Sequence, residues 1–423
     1  MPTLLSSATD EDSFLVVADS VANLLNEGAG QVKTALAETP GSKFLEECST
    51  LLQAEQLEQY LIKMQSHLDM VFSKCTDKES ECIANILVHA VSRVPADRML
   101  AAAQGLAATL INKVDERADE RLGALLNLYG VTHEQPATQR AVLLKAADYA
   151  RNLPRLAAIL VPAVRGKSQQ WVRQWNLNEA EARELLIALA TLIKIGTDRA
   201  SVKEYIRLVT AALALCKEND SAAIAQLRPL AVAAVTDFIR SPSIYQADFV
   251  DSPAVKALAN DRAVAPIYSL FTATLSGDLA SFRSAAQPAV LEQVGVSGEA
   301  ALTKARLVAL LALCSGGSCK EVPFSRIQSA LDIPANAVES WIVRAIGAKL
   351  IEGKIDQVQD MVVVSRCTQR TFGAPEWAAL RSQLAAWRES LHGAQQLLGS
   401  MQMAAKTGPA GAQGNKPAIA AAI

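Results

Sequence analysis

Between Phe14 and about Cys314 apolar residues recur every three or four positions in segment after segment, and each segment closes on a short polar, Pro or Gly break. That spacing gathers the apolar positions onto one face of an α-helix, and sheet-like alternation is almost absent from the same stretch. In residues 138–152, Val142, Leu143, Ala146, Ala147 and Ala150 form one stripe, with Arg140, Lys145 and Asp148 elsewhere, until Asn152-Leu153-Pro154 stops the run. Further helices are predicted over 156–164, 169–175, 178–195, 199–216 and 221–239, separated by breaks such as Gly166 and Lys217-Glu218-Asn219-Asp220. Asn178 with Glu181 three positions on has the form of an N-terminal capping box. Pro229 and Pro266 fall inside helical windows, where a kink or an end is expected. Helices this short cannot cover their own stripes, so the pattern predicts a stack of degenerate helical repeats.

After Cys314 the texture changes. Ser315-Gly316-Gly317-Ser318 reads as a loop, 323–331 and 336–350 as helices joined across Asp332-Ile333-Pro334, and 350–355 with 361–365 as a β-hairpin. Taking 303–314 as the first helix, the order helix, helix, helix, strand, strand is that of a winged helix. In its third helix Val338, Trp341, Ile342, Ala345 and Ile346 make an inward stripe, leaving Glu339, Ser340, Arg344 and Ala348 outside. Beyond 371–375, Trp377, Leu380, Leu384, Trp387, Leu391, Ala394 and Leu398 alternate spacings of three and four, an a/d heptad seam that requires a partner. Two readings of that seam stand open: the helix folds back on its own winged helix, or it joins a bundle with helices of other chains. The fold class is therefore mainly α. The expected divisions are a disordered 1–12, helical repeats over 13–198, a helical part over 199–315, a winged-helix part over 316–373, a bundle helix over 375–399 and a disordered low-complexity tail over 400–423.

Composition narrows the function classes. Of 423 residues 50% are hydrophobic but only 5% aromatic, so the core is mostly Ala, Leu, Val and Ile, as in packed helical layers. Lys and Arg number 41 against 43 Asp and Glu, which argues against a surface that grips nucleic acid or acidic membrane throughout. Between Gly317 and Gly373, seven basic residues (320, 326, 344, 349, 354, 366, 370) face six acidic ones (321, 332, 339, 352, 356, 360), a net of +1. That is weak for duplex binding, which neutralises several phosphates. The outer edge of the hairpin is the part of the module most open to another chain.

The chain offers little chemistry. The cysteines at 48, 75, 82, 216, 314, 319 and 367 include no Cys-x-x-Cys, so neither a disulfide framework nor a zinc site is indicated and reduced thiols are expected. The four His residues, 67, 89, 133 and 392, are scattered. Arg165-Gly166-Lys167-Ser168 has the ending of a phosphate-binding loop, but Val161 stands where its first Gly belongs. Gly28-Ala29-Gly30 reads as a turn, and no Gly-x-Ser-x-Gly elbow occurs. No catalytic residue, cofactor, metal ligand or small-molecule substrate is expected. Asp10-Glu11-Asp12 and the lack of Lys or Arg before Lys33 are unlike an export leader, and apolar runs such as 208–216 and 307–314 fall short of a bilayer span of ~18 residues. A cytoplasmic protein with no membrane partner is expected.

Helical repeats leading into a winged helix and a closing helix resemble PCI-domain scaffolds, found in the proteasome lid, the signalosome and eukaryotic initiation factor 3. Lys349-Leu350-Ile351, Gly353-Lys354-Ile355-Asp356-Gln357, the run Val362-Val363-Val364-Ser365-Arg366-Cys367-Thr368-Gln369-Arg370-Thr371-Phe372-Gly373, and Trp377, Leu380, Leu384 and Trp387 resemble the initiation factor branch of that family. The likeness is strong over about 300–392 and diffuse before it. It implies a non-catalytic scaffold, not an enzyme, with PCI and MPN sister subunits as partners, the small ribosomal subunit reached through the complex, and a role in recruiting mRNA and initiator tRNA. Trp377, Leu380, Leu384, Trp387, Leu391 and Leu398 would then be the interface with the helical bundle. A signalosome or proteasome-lid PCI subunit, and a PCI adaptor that makes weak RNA contact through the winged helix, are the alternatives. Arg370-Thr371-Phe372-Gly373 weighs against the signalosome.

Overall fold

The computed structural model of the chain describes residues 10–28, 39–196, 198–315 and 320–407. Expectations placed on residues 1–9, on 29–30, on the 316–318 loop and beyond Thr407 lie outside the described residues. The chain divides into two compact units, the first Met1–Asp237 with Ser252–Tyr268, the second Phe238–Asp251 with Ser269–Ile423.

In the first unit helix follows helix, from Asp10–Gly28 through Arg199–Ala214, and the starts are set by side chains that the sequence makes legible. Asn178 accepts the Glu181 N–H at 2.9 Å while Glu181 accepts the Asn178 N–H at 3.1 Å, the reciprocal box read from the sequence. Thr76 and Glu79 form a second such box. Close packing depends on small residues: a Cβ on Gly41 would fall 2.2 Å from the Ala22 carbonyl, so helix Pro40–Gln53 lies directly on helix Asp10–Gly28. Pro229 does not end its helix, which runs Ser221–Arg240, and Pro266 is the second residue of helix Ala265–Ser276, where no intrahelical N–H is needed. Among the described residues Ser221–Arg240 is also the one helix long and apolar enough to cross a membrane. Two of its charged residues are committed within the first unit: Arg228 pairs with Asp261, and Asp237 accepts from Lys194 at 2.5 Å and from the Tyr205 hydroxyl at 2.8 Å.

One buried cation organises the middle of this unit. Arg121, fully buried, donates to the carbonyls of Glu116 at 3.0 Å, Thr109 at 3.3 Å and Leu110 at 3.2 Å and to the Asp69 carboxylate at 2.8 Å, with its guanidinium 4.3 Å from the centre of the Phe72 ring. It thereby satisfies carbonyls that the end of helix Ala96–Leu110 leaves open. Burial pushes the Asp69 carboxyl up, but hydrogen bonds from Arg121 and Asn112 and the charges of Arg121 and Lys113 outweigh it and hold it below the usual carboxylate range.

The Arg165-Gly166-Lys167-Ser168 turn is likewise spoken for. The Gly166 N–H donates to the buried Glu204 at 2.9 Å and Arg207 donates to the Ser168 hydroxyl at 3.0 Å, so the chain's own carboxylate stands where a phosphate cradle would place its anion.

The second unit contains helix Gly298–Cys314, β1 (Lys320–Pro323), helix Phe324–Leu331, a single 3-10 turn, helix Val338–Gly347, β2 (Ile351–Asp356) and β3 (Met361–Cys367). The strands form one antiparallel sheet in the order β1-β3-β2, with Val322 opposite Val362 and Ile355 opposite the same Val362 on the other side. The hairpin is the one read from the pattern; β1 was not, because Lys-Glu-Val-Pro is too short to show a period. The third helix stops at Gly347 rather than running to 350. Lys349 adopts a left-handed backbone (φ 59°) that turns the chain, and Leu350 enters the core next to β2. Register is adjusted once, by a bulge at Glu352/Gly353, where a Cβ on Gly353 would meet the Val363 carbonyl at 2.6 Å.

Lys304, on helix Gly298–Cys314, is buried with its ammonium donating to the carbonyls of Phe238 and Ser241, the latter at 2.6 Å, and lying 4.3 Å from the Phe238 ring centre. Burial lowers this amine to about 7. In the unfolded chain it titrates near the ordinary 10.5.

Two predictions follow from these buried cations. Arg121→Ala leaves the Thr109, Leu110 and Glu116 carbonyls without their donor and is expected to cost about 3 kcal/mol, measured as a lower urea midpoint. For Lys304, the unfolded chain binds more protons than the folded one between about 7 and 10.5, so stability rises with pH across that window. From pH 7 to 9 the gain is about 2 kcal/mol, and Lys304→Met, followed by urea titration at both pH values, is expected to lose it.

Candidate protein-docking helix

The segment that launches the last helix is tied down on both sides. Arg370 donates from one guanidinium nitrogen to the carbonyls of Leu275 at 2.6 Å and Ser276 at 2.9 Å, capping helix Ala265–Ser276, and its own carbonyl accepts the Ala247 N–H at 2.8 Å. Gly277, at φ 77°, passes close by: a Cβ there would sit 2.9 Å from that of Ala312 and 3.4 Å from the Arg370 guanidinium. The Gly373 N–H donates to Glu376 at 2.8 Å, the Trp377 N–H to the Gly373 carbonyl at 3.1 Å, and the Phe372 and Trp377 rings meet edge to face at 4.8 Å. Burial raises the Asp248 carboxyl despite the Phe372 N–H that it accepts, so a partly desolvated acid also grips this link.

From that base the helix Ala374–Thr407 runs 34 residues, about 50 Å at 1.5 Å per residue. It continues past the expected end at 399, since no Pro or Gly follows Gly399 until Gly408. The seam residues lie along it in the water: Trp377 is 61% exposed, Leu384 52%, Trp387 63%, Leu391 71% and Leu398 61%, with Ala394 also exposed and Leu380 half-buried. Leu397 and Met401, which the seam reading did not include, are exposed as well. Two half-exposed Trp rings of ~200 Å² leave up to about 3 kcal/mol each unrealised.

The winged-helix residues are arranged differently. Val338 and Ile342 are buried, whereas Trp341 and Ile346 are half-buried. Trp341 has two guanidinium groups over its ring, Arg306 at 5.5 Å and Arg344 at 5.4 Å from its centre, which occupies the one basic residue on the outer side of that helix. Arg366 likewise faces Glu352 at 3.5 Å. Val343, 59% exposed, and Val358, 95% exposed in the turn between β2 and β3, were missed from the sequence. Val343 lies off the inward stripe of its helix, and Val358 is a single apolar residue between Gln357 and Gln359, so no period marks either. Among the described residues no group of His, Cys, Asp and Glu could hold a metal ion.

Comparison with known proteins matches residues 292–366 to the PCI domain and residues 370–396 to the C-terminal helix of initiation factor 3 subunit M. The second match begins at Arg370, the anchor, and covers the seam as far as His392 and Gln396. The chain thus carries a PCI domain followed by a segment similar to the C-terminal helix of that subunit. It is similar to the protein named eukaryotic translation initiation factor 3 subunit M of Aspergillus clavatus, 27% identical over 414 residues that cover 92% of this chain and 85% of the relative. Those of Neosartorya fischeri (26% identical, 92% and 85% covered) and Aspergillus oryzae (26% identical, 92% and 86% covered) carry the same name. The helical first unit thus falls within the likeness as well as the PCI domain.

Arg370→Ala removes the donor from the Leu275 and Ser276 carbonyls. It is expected to cost about 2 kcal/mol and to speed amide exchange at 371–377, read by hydrogen-exchange mass spectrometry.

Proposed function

We propose that this chain is a non-catalytic scaffold subunit of eukaryotic translation initiation factor 3, acting in the cytoplasm. Its PCI domain would sit beside those of sister subunits, of PCI and MPN type, and its terminal helix would join a bundle formed with their helices. The assembled factor would bind the small ribosomal subunit and support recruitment of mRNA and initiator tRNA. The observation that carries this reading is the exposed heptad seam on a helix whose base is fixed: an apolar stripe about 30 Å long is stable in water only with another helix laid on it. The names of the relatives and the match at 370–396 support the initiation factor as the assembly that supplies that helix.

The interface assigned to Trp377, Leu380, Leu384, Trp387, Leu391 and Leu398 is tested by deletion. A chain ending at residue 374 is expected to stay folded and to lose co-purification with the other subunits from cell extract, while Leu384→Glu with Leu391→Glu should reproduce the loss without shortening the helix. Undiminished co-purification of both variants would refute the assignment.

A further inference from the structure

Resting on the reading of the terminal helix as a bundle helix, the structure assigns a chemistry to its neighbour. Placing Trp377 and Leu384 at heptad position a and Leu380 and Trp387 at d puts Arg381 and Arg388 at successive e positions, on one edge of the seam. Both are exposed, and among the described residues neither has an ion pair. The opposite edge carries Gln383, Ser390 and the exposed Leu397 and is uncharged beyond Glu376, whose carboxylate already accepts the Gly373 N–H. Glu389 lies at f, away from both edges.

Such a helix is not its own complement. Two copies laid antiparallel bring e against e, arginine toward arginine; two copies laid parallel offer Arg381 the Glu376 carboxylate that already accepts the Gly373 N–H, and place only the uncharged Gln383 and Ser390 across from Arg388 and Gln395. A partner with carboxylates flanking its own apolar seam satisfies Arg381 and Arg388 in either direction. We infer that the terminal helix selects an acidic-flanked partner helix and is built against pairing with a second copy of this chain.

The test uses the full chain and two synthetic four-heptad peptides with Leu at a and d, one with Glu and the other with Lys at every e and g, so that each repels itself. Fluorescence anisotropy at 50 mM NaCl is expected to show the Glu peptide binding about tenfold tighter, the preference shrinking at 500 mM and inverting in Arg381→Glu/Arg388→Glu. The chain's net charge of −2 gives the anionic peptide no general advantage. Equal affinity for the two peptides would overturn the charge assignment while leaving the docking seam intact. Binding of neither would overturn both. Sedimentation velocity is expected to find the unmodified chain monomeric at micromolar concentration, and a dimer abolished by Arg381→Glu/Arg388→Glu or Leu391→Glu would also overturn the inference.

Discussion

An apolar stripe cannot be left in water without cost, and everything distinctive about this molecule follows from where that cost is met. Through the first unit each helix covers the stripe of its neighbours, so that Leu87, Leu106, Leu125 and Leu128 are essentially buried. In the terminal helix the same kind of stripe runs on from a fixed base with Trp377, Leu384, Trp387, Leu391 and Leu398 exposed.

The base matters as much as the stripe. A helix hung on a loose linker would lose orientational freedom whenever it docked, and that loss opposes association. Here Arg370 ties the linker to the end of another helix, Gly373 and Glu376 fix the first turn, and Phe372 packs on Trp377. Much of the ordering is done before any partner arrives. The buried cations act in the same spirit: Arg121 and Lys304 donate to carbonyls at helix ends that no intrahelical N–H satisfies.

Much of this was legible in the sequence, and the failures have physical causes. The 3.6-residue period located the helices, Asn178 and Glu181 announced a cap that the structure contains, and the hairpin showed as an aliphatic run and its partner. Strand β1 stayed hidden because four residues ending in Pro carry no period, and it is recognisable only by what it pairs with, Val362 to Val364. The third winged-helix helix ended early because nothing but the left-handed Lys349 marks its turn, and a positive φ on lysine leaves no signature in the sequence. Pro229, where a kink or an end was expected, lies within a helix that runs on to Arg240. Arg121, Lys304 and Arg370 were invisible as structural residues, since their partners are backbone carbonyls, which every sequence has. The seam itself was plain; its exposure was not, because periodicity reports that a face is apolar and not what covers it.

The central claim is that the stripe from Trp377 to Leu398 is covered by other polypeptides. Hydrogen-exchange mass spectrometry on the chain alone and on the chain within the purified initiation factor compares the two states directly. The account predicts marked slowing of exchange at residues 377–398 on assembly, larger than in the helices of the first unit. Identical exchange across 377–398 in the two states would contradict it.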